Sequence, residues 1–257
     1  RGIAVLTHRS KQPLEDADLY LLGIGIKGFT QVTTETLEAL RSCRVVLHLS
    51  DQDSALRRVN KNTIDLNPLY WTGQDRSDVY RNLVRAVLEE VQCGPRVALV
   101  GYGHPLIFDQ VCAQLRRRIR ALGLKCTVLA GISCLDTLCI DLAIDYGDGL
   151  QLFEASHLVE SELEMCTRLH TLIFQVYEFG ENRTADTICP VRGRLEPLQD
   201  YLSRYYPEDH RVTLVYSDNG DGEGSVLVRT RIDSIDRKQD HVFPGISLCI
   251  SPLTRKG

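Results

Sequence analysis

The chain has 257 residues, 43% of them apolar and 25% charged, with a net charge of −4. That length can bury one large core or two smaller ones. The slight acidity argues against a broad phosphate- or headgroup-binding face, which needs clustered positive charge. No apolar run approaches the ~18 residues of a membrane span, so neither nucleic acid nor membrane is expected as a partner.

Residues 1–17 are polar and aperiodic and read as a flexible arm. "DLYLLGIGI" (18–26) reads as a buried strand running into glycines. A helix over 33–42 follows, with Thr33 or Thr34 as its cap. Residues 44–49 and 63–67 read as strands. In 75–92, Val79, Leu83, Val87 and Val91 recur every four residues, with Val84 and Leu88 beside them, which predicts an amphipathic helix. A strand over 96–102 and a helix over 108–122 come next. Strand and helix alternate, so the expected class is α/β with largely parallel pairing.

Further strands are expected at 125–130, 171–176, 211–217, 225–230 and 246–251, and helices at 133–143, 158–169 and 195–206. The late strands lie close together and are joined by turns, which points to antiparallel pairs. "SDNGDGEGS" (217–225) has the composition of a calcium loop but not its ligand spacing, and reads as an exposed hairpin loop. The change in strand pattern divides the chain into two α/β subdomains, 18–110 and 111–257.

The nine cysteines are scattered, form no C-x-x-C pair and sit mostly in apolar segments. They read as reduced thiols, in keeping with a cytoplasmic protein, and no metal site is expected. No secretory leader is read at the start.

"GIGIKG" puts Gly23, Gly25 and Gly28 in G-x-G-x-x-G spacing, with Asp51 about 20 residues on. A dinucleotide-binding oxidoreductase is therefore one open reading. Against it, Phe29 to Val32 intervene before a convincing helix cap. Three more loops follow strands: "YGHP" (102–105), "AGISCLD" (130–136) and "FQVYEFG" (174–180). Ligands collect at strand C-termini in open α/β sheets, so these loops suggest one shared cleft.

Together, "LYLLGIGIKGFTQVTTETLEALRSCRVVLHL", "YGHPLIF" and "AGIS" resemble the tetrapyrrole methylase superfamily, which implies a cofactor cleft between two α/β domains and S-adenosylmethionine as methyl donor. Within it, "YGHP", "GISCLDTLCIDLAIDYGD", "FEAS", "LIFQV" and "LYWTGQDRSDVYRNLV" resemble the borosin methyltransferases. These N-methylate backbone amides of a ribosomal precursor peptide.

The resemblance implies Tyr70, Arg76 and Tyr80 as catalytic residues. It implies Gly23, Gly25, Tyr102, Gly103, His104, Phe108, Gly131, Ser133, Gln175, Tyr216 and Ser247 as the donor site, with no metal and with S-adenosylhomocysteine as product. Ala130 and Asn67 depart from the family's Pro and additional Tyr. The chain ends at Gly257, so a split enzyme is expected, its substrate a separate precursor peptide and its assembly a homodimer or a heterotetramer with that peptide.

An amide nitrogen is a poor nucleophile because its lone pair is delocalised into the carbonyl. Arg76 and Tyr80 are four residues apart and share a helix face. A neighbouring guanidinium is expected to lower the phenol's pKa, so that Tyr80 or a water it holds takes the amide proton. Arg76 and Tyr70 then steady the carbonyl oxygen. His104 is expected to be a pocket wall before a base. Ser133 is expected to offer hydroxyl and amide hydrogen bonds to the donor. A small-molecule methyltransferase of the tetrapyrrole type and a catalytically silent binding protein stay open as alternatives.

Overall fold

The computed structural model describes residues 14–184, 188 and 191–253. Most of the expected N-terminal arm (1–13) lies outside the described residues. Two five-stranded sheets organise the rest.

The first sheet holds β1 (Leu19–Gly23), β2 (Val45–Leu49), β3 (Thr63–Asp65), β4 (Val97–Gly101) and β5 (Cys126–Leu129) in the order β3-β2-β4-β1-β5. Every pair in it is parallel. Its strands are nearly continuous apolar runs because both faces are covered. Leu19, Leu21, Val45, Leu47, Val97 and Leu99 face α4 (Arg76–Gln92) and α5 (Gln110–Ala121). Tyr20, Leu22, Val46, Ala98 and Val100 face α1 (Thr34–Ser42) and α2 (Asp53–Val59).

The valine and leucine series of α4 behaves as its spacing demands: Val79, Leu83, Val84, Val87 and Val91 are buried. Thr33 caps α1 by accepting from the Thr36 N–H at 3.1 Å. The glycine run after β1 ends in a 3₁₀ turn, Gly28–Thr30, and α1 opens only at Thr34. No helix N-terminus meets that run, so the dinucleotide reading loses its phosphate-binding end.

The second sheet holds β6 (Leu150–Glu154), β7 (His170–Phe174), β8 (Arg211–Tyr216), β9 (Val226–Arg231) and β10 (Ser247–Ile250) in the order β6-β7-β10-β8-β9. Only β6 and β7 are parallel; the β7–β10, β10–β8 and β8–β9 pairs are antiparallel, and residues 217–225 form the β8–β9 hairpin loop. One face packs on α6 (Cys134–Leu142) through Leu172, Phe174, Val215 and Cys249. The other buries Ile173, Leu214 and Leu248 against α7 (Ala155–Glu160) and α8 (Glu196–Ser203).

Several expectations are corrected. The helix expected over 158–169 is α7, which starts three residues earlier and stops at Glu160. The Glu154 carboxylate caps it by accepting from the Ser156 and His157 N–H groups at 3.1 and 2.6 Å. Glu162, with φ +49°, turns the chain out of helix soon after. The helix expected over 195–206 ends at Ser203, and the one expected over 108–122 starts at Gln110. Three short elements went unanticipated: α2, α3 (Asn67–Tyr70) and the half-buried β6. Finally, β5 lies past residue 110 yet pairs with β1, so we place the crossing between sheets after β5 rather than at 110.

Candidate active site

The strand order of the first sheet reverses direction at β1 and β4, the place where open α/β sheets bind ligands. Here the loops after β1, β4 and β5 touch through bare backbone. A Cβ at Gly23 would lie 2.3 Å from the Gly103 oxygen and 2.9 Å from the Gly131 nitrogen, and one at Gly131 would lie 2.3 Å from the same Gly103 oxygen. Gly25 and Gly103 exchange backbone hydrogen bonds at 3.4 and 3.1 Å. Gly23, Gly25 and Gly131 therefore pin the 102–105 loop and line neither of the two cavities described below.

A first cavity of about 230 Å³ opens between the two sheets. Its walls include Tyr102, Gly103, His104, Phe108, Ser133, Gln175, Tyr216 and Ser247, all expected donor-site residues. It also contains Glu178 and Gly245, which the sequence did not single out. A second cavity of about 370 Å³ adjoins it, lined by Asn67, Tyr70, Trp71, Tyr80 and Asp109 among others. The two share Tyr102, Ile107, Phe108 and Gln175.

Two of the shared residues are strained. Phe108 has φ +54° and Gln175 φ +57°, a region that non-glycine residues rarely enter. Phe108 stacks on Phe174 at 4.5 Å between ring centres, and the Gln175 side chain reaches the Phe108 carbonyl at 3.5 Å. Strain of this kind concentrates at ligand clamps.

Two of the side chains expected at the donor site are already engaged. The Ser133 N–H and hydroxyl both donate to Asp136 Oδ2 at 2.7 Å. Contrary to expectation, Ser133 keeps only acceptor capacity for a ligand. His104 Nδ1 accepts from the Leu106 N–H at 3.1 Å, which leaves Nε2 to carry the ring's proton.

Tyr70 and Tyr80 lie 6.3 Å apart between ring centres, tilted by 34°. Arg76 lines neither cavity; its Nη2 donates to the Glu181 carbonyl at 2.9 Å. The expected acidification of Tyr80 does not occur. Burial raises its pKa above the usual value of 10, and the Tyr70 hydrogen bond and the Arg76 charge only partly offset that. Burial raises Tyr70 as well. Both phenols are therefore protonated near neutral pH.

Two carboxylates whose charge acts on Tyr80 escaped the sequence reading. Burial raises Asp109, whose Oδ1 is committed as the α5 cap, accepting from the Cys112 N–H at 2.8 Å. Burial also raises Glu178, with Arg76 opposing. A lone charge in the apolar run "VYEFG" and an Asp directly before a helix were the available signals.

The segment before α4 is fastened to the loop after β7. Gly73 N–H donates to Thr184 at 3.0 Å, Thr184 N–H to Gln74 at 3.1 Å and Arg76 N–H to Asn182 at 2.7 Å, around a bridge between Asp75 and Arg183.

Known proteins share the fold and much of the sequence of this chain. The methyltransferase/ribosomally synthesized type I borosin cyclic peptide precursor of Coprinopsis marcescibilis is 28% identical over 229 residues, covering 86% of this chain and 58% of that protein. The lentinulin A precursor of Lentinula edodes, also described as a methyltransferase, is 30% identical over 216 residues, covering 77% and 52%. The chain thus spans little more than half the length of these curated relatives. Among solved structures, a cobalt precorrin-4 methyltransferase superposes with a TM-score of 0.63 at 14% identity, covering 91% of this chain and 94% of that one. A uroporphyrin-III C-methyltransferase from Thermus thermophilus gives 0.59 at 17%, covering 91% of each. The family pattern described as "Tetrapyrrole (Corrin/Porphyrin) Methylases" matches residues 18–218, and this chain belongs to that family.

Proposed function

We propose that the chain is an S-adenosylmethionine-dependent methyltransferase that N-methylates backbone amides of a separate ribosomal precursor peptide. The observation that carries this reading is the pair of adjoining cavities. The residues we assign to the donor line one, the two tyrosines we assign to catalysis line the other, and Phe108 and Gln175 stand in both walls. Exposed Leu69, Trp71 and Tyr102 near the second cavity offer apolar surface to a polypeptide. The similarity to proteins described as methyltransferases joined to cyclic peptide precursors supports the same substrate class. A homodimer, or a heterotetramer with the peptide, in the cytoplasm completes the proposal.

We assign the first cavity to the donor. Aromatic Phe108, Phe174 and Tyr216 suit a nucleoside, and bare backbone at Gly103 and Gly245 leaves room that a Cβ would fill, 3.3 Å from Ile26 and 3.0 Å from Tyr216. His104, Gln175 and Ser247 supply polar groups for its amino-acid end. When bound, it supplies an electrophilic methyl group on a sulfonium. The protein's own work is to hold the amide, exclude water and move one proton. We assign Tyr70 and Tyr80 to donate to the amide oxygen or exchange a proton with its nitrogen, with the Arg76 charge acting on both.

Calorimetry with S-adenosylmethionine and with NADH, followed by incubation with a pool of synthetic apolar peptides, tests the proposal. Mass spectrometry is expected to find methyl groups on backbone amides. Donor binding with methylation only of a tetrapyrrole, or with no transfer at all, would overturn the peptide reading.

A further inference from the structure

Asn67 lines the second cavity together with Tyr70 and Tyr80. Its Nδ2 donates to the Ser50 carbonyl and to Asp65 Oδ1, each at 2.9 Å. Both partners only accept, so the amide has one orientation and both of its hydrogens are spent. The Asn67 backbone N–H donates to the same Asp65 Oδ1 at 2.8 Å, and the Asn67 carbonyl accepts from the Trp71 N–H at 3.0 Å. Among the described residues no hydrogen bond reaches Oδ1. What Asn67 has left for a ligand is therefore one acceptor, on a side chain tied at two points. It stands three residues before Tyr70 in α3, and Tyr70 in turn lies against Tyr80. Side chains three apart in a helix start about 5–6 Å from each other.

We infer that Asn67 determines specificity for the peptide: its Oδ1 accepts a substrate backbone N–H, one or two residues from the nitrogen being methylated. The inference rests on the peptide reading above. A peptide repeats two polar groups, a carbonyl that accepts and an N–H that donates. Phenol hydroxyls suit the carbonyl beside the target nitrogen, and Oδ1 suits a neighbouring N–H. An extended chain advances about 3.3–3.6 Å per residue, so one or two residues span the distance from Asn67 to Tyr70. Two such contacts of opposite sense fix the direction and register of the bound chain. They also reject. A proline or an already methylated nitrogen at the Asn67 position has no hydrogen to give and sets a carbon against Oδ1. A tyrosine, expected here from the resemblance, could donate as well as accept. Asn67 has no hydrogen free to answer with, so it selects a neighbouring amide that is still unmodified.

The test takes one synthetic apolar peptide that wild type methylates. In a set of analogues, each amide other than the target is replaced in turn by an ester, which removes the N–H with little change of shape. With wild type, one ester within two residues of the target is expected to cost roughly tenfold in kcat/KM. An N-methyl group at the same place should cost at least as much. In Asn67→Ala the parent peptide and that ester should react equally well, whatever the variant does to the absolute rate. Asp65→Ala separates this role from a structural tie, because it removes one Nδ2 partner and leaves Oδ1 in place; it should keep the preference for the amide. The wild-type series decides even if a variant fails to fold. A wild type indifferent to every ester within two residues of the target overturns the inference and leaves the peptide reading intact. So does an Asn67→Ala enzyme that keeps the preference, or an Asp65→Ala enzyme that loses it. A wild type that binds donor and methylates no peptide overturns both.

Discussion

Gly23→Ala is the sharpest test of how the loops are pinned. Gly23 does not have a positive φ, so alanine meets no backbone penalty there; space alone opposes it. The new methyl group would lie 2.3 Å from the Gly103 oxygen, more than an ångström short of ordinary contact. That carbonyl belongs to backbone and cannot swing aside as a side chain would. Its retreat breaks the two Gly25–Gly103 hydrogen bonds. Overpacking costs about 1–3 kcal/mol and each lost bond about 0.5–1.5, so the loss is about 2–6 kcal/mol. A protein of this kind has about 5–15 kcal/mol in hand. Urea unfolding at constant m-value reads the loss directly, and calorimetry with S-adenosylmethionine reads the displaced loop as at least about tenfold weaker binding. Gly123→Ala is the control: its φ is +72° and nothing lies within 4 Å. It should cost about 1–2 kcal/mol in backbone strain and leave binding alone. A Gly23→Ala protein within about 0.5 kcal/mol of wild type, with normal binding, would refute the reasoning.

Tyr80→Phe should reduce methyl transfer by at least roughly a hundredfold while donor affinity holds, because Tyr80 lines only the second cavity; a normal rate sinks its assignment. Asp109→Asn keeps a cap and removes a carboxyl whose folded pKa is raised. Such a group's stabilisation is fully present below its unfolded pKa, ~3.9, and is lost as pH rises through the folded value. The Asn variant should therefore melt higher than wild type at pH ~7 and lose that advantage at pH ~4; a gain that persists in acid would contradict the burial argument. Alkylation of native protein with iodoacetamide should label exposed Cys93 well before buried Cys43, whose thiol is pushed up to about 12, and before buried Cys112. Peptide mapping decides this, and equal labelling rates would overturn it.

The sequence was most legible where one physical cause dominated. The four-residue recurrence in α4 has no other economical solution than a half-buried helix, and the apolar runs of β1, β2 and β4 need cover on both faces. Residues 150–160 were opaque because strand and helix abut. Glu154 both ends β6 and caps α7, and a residue with two duties leaves no turn signal between them. In the site, the loops of glycine, histidine and glutamine were readable because strand ends collect ligands. The direction of Arg76 was not, since its guanidinium is set by the Glu181 carbonyl more than a hundred residues away. The sign of the Tyr80 shift was missed for a related reason: helix spacing shows the neighbouring charge but not the burial that outweighs it.

The short ladder between residues 73–76 and 182–184 bears on how far this chemistry can be moved. The stretch from Tyr70 to Tyr80 looks like a self-contained module, a few residues on one helix start. Its register is nevertheless written by a distant loop that begins at Gln175 in the wall of the first cavity. Transplanting 70–80 alone onto a related scaffold would carry the letters without the ruler. The smallest portable unit is the pair of segments together, and any insertion between Gln175 and Thr184 retunes the tyrosines as surely as a substitution beside them.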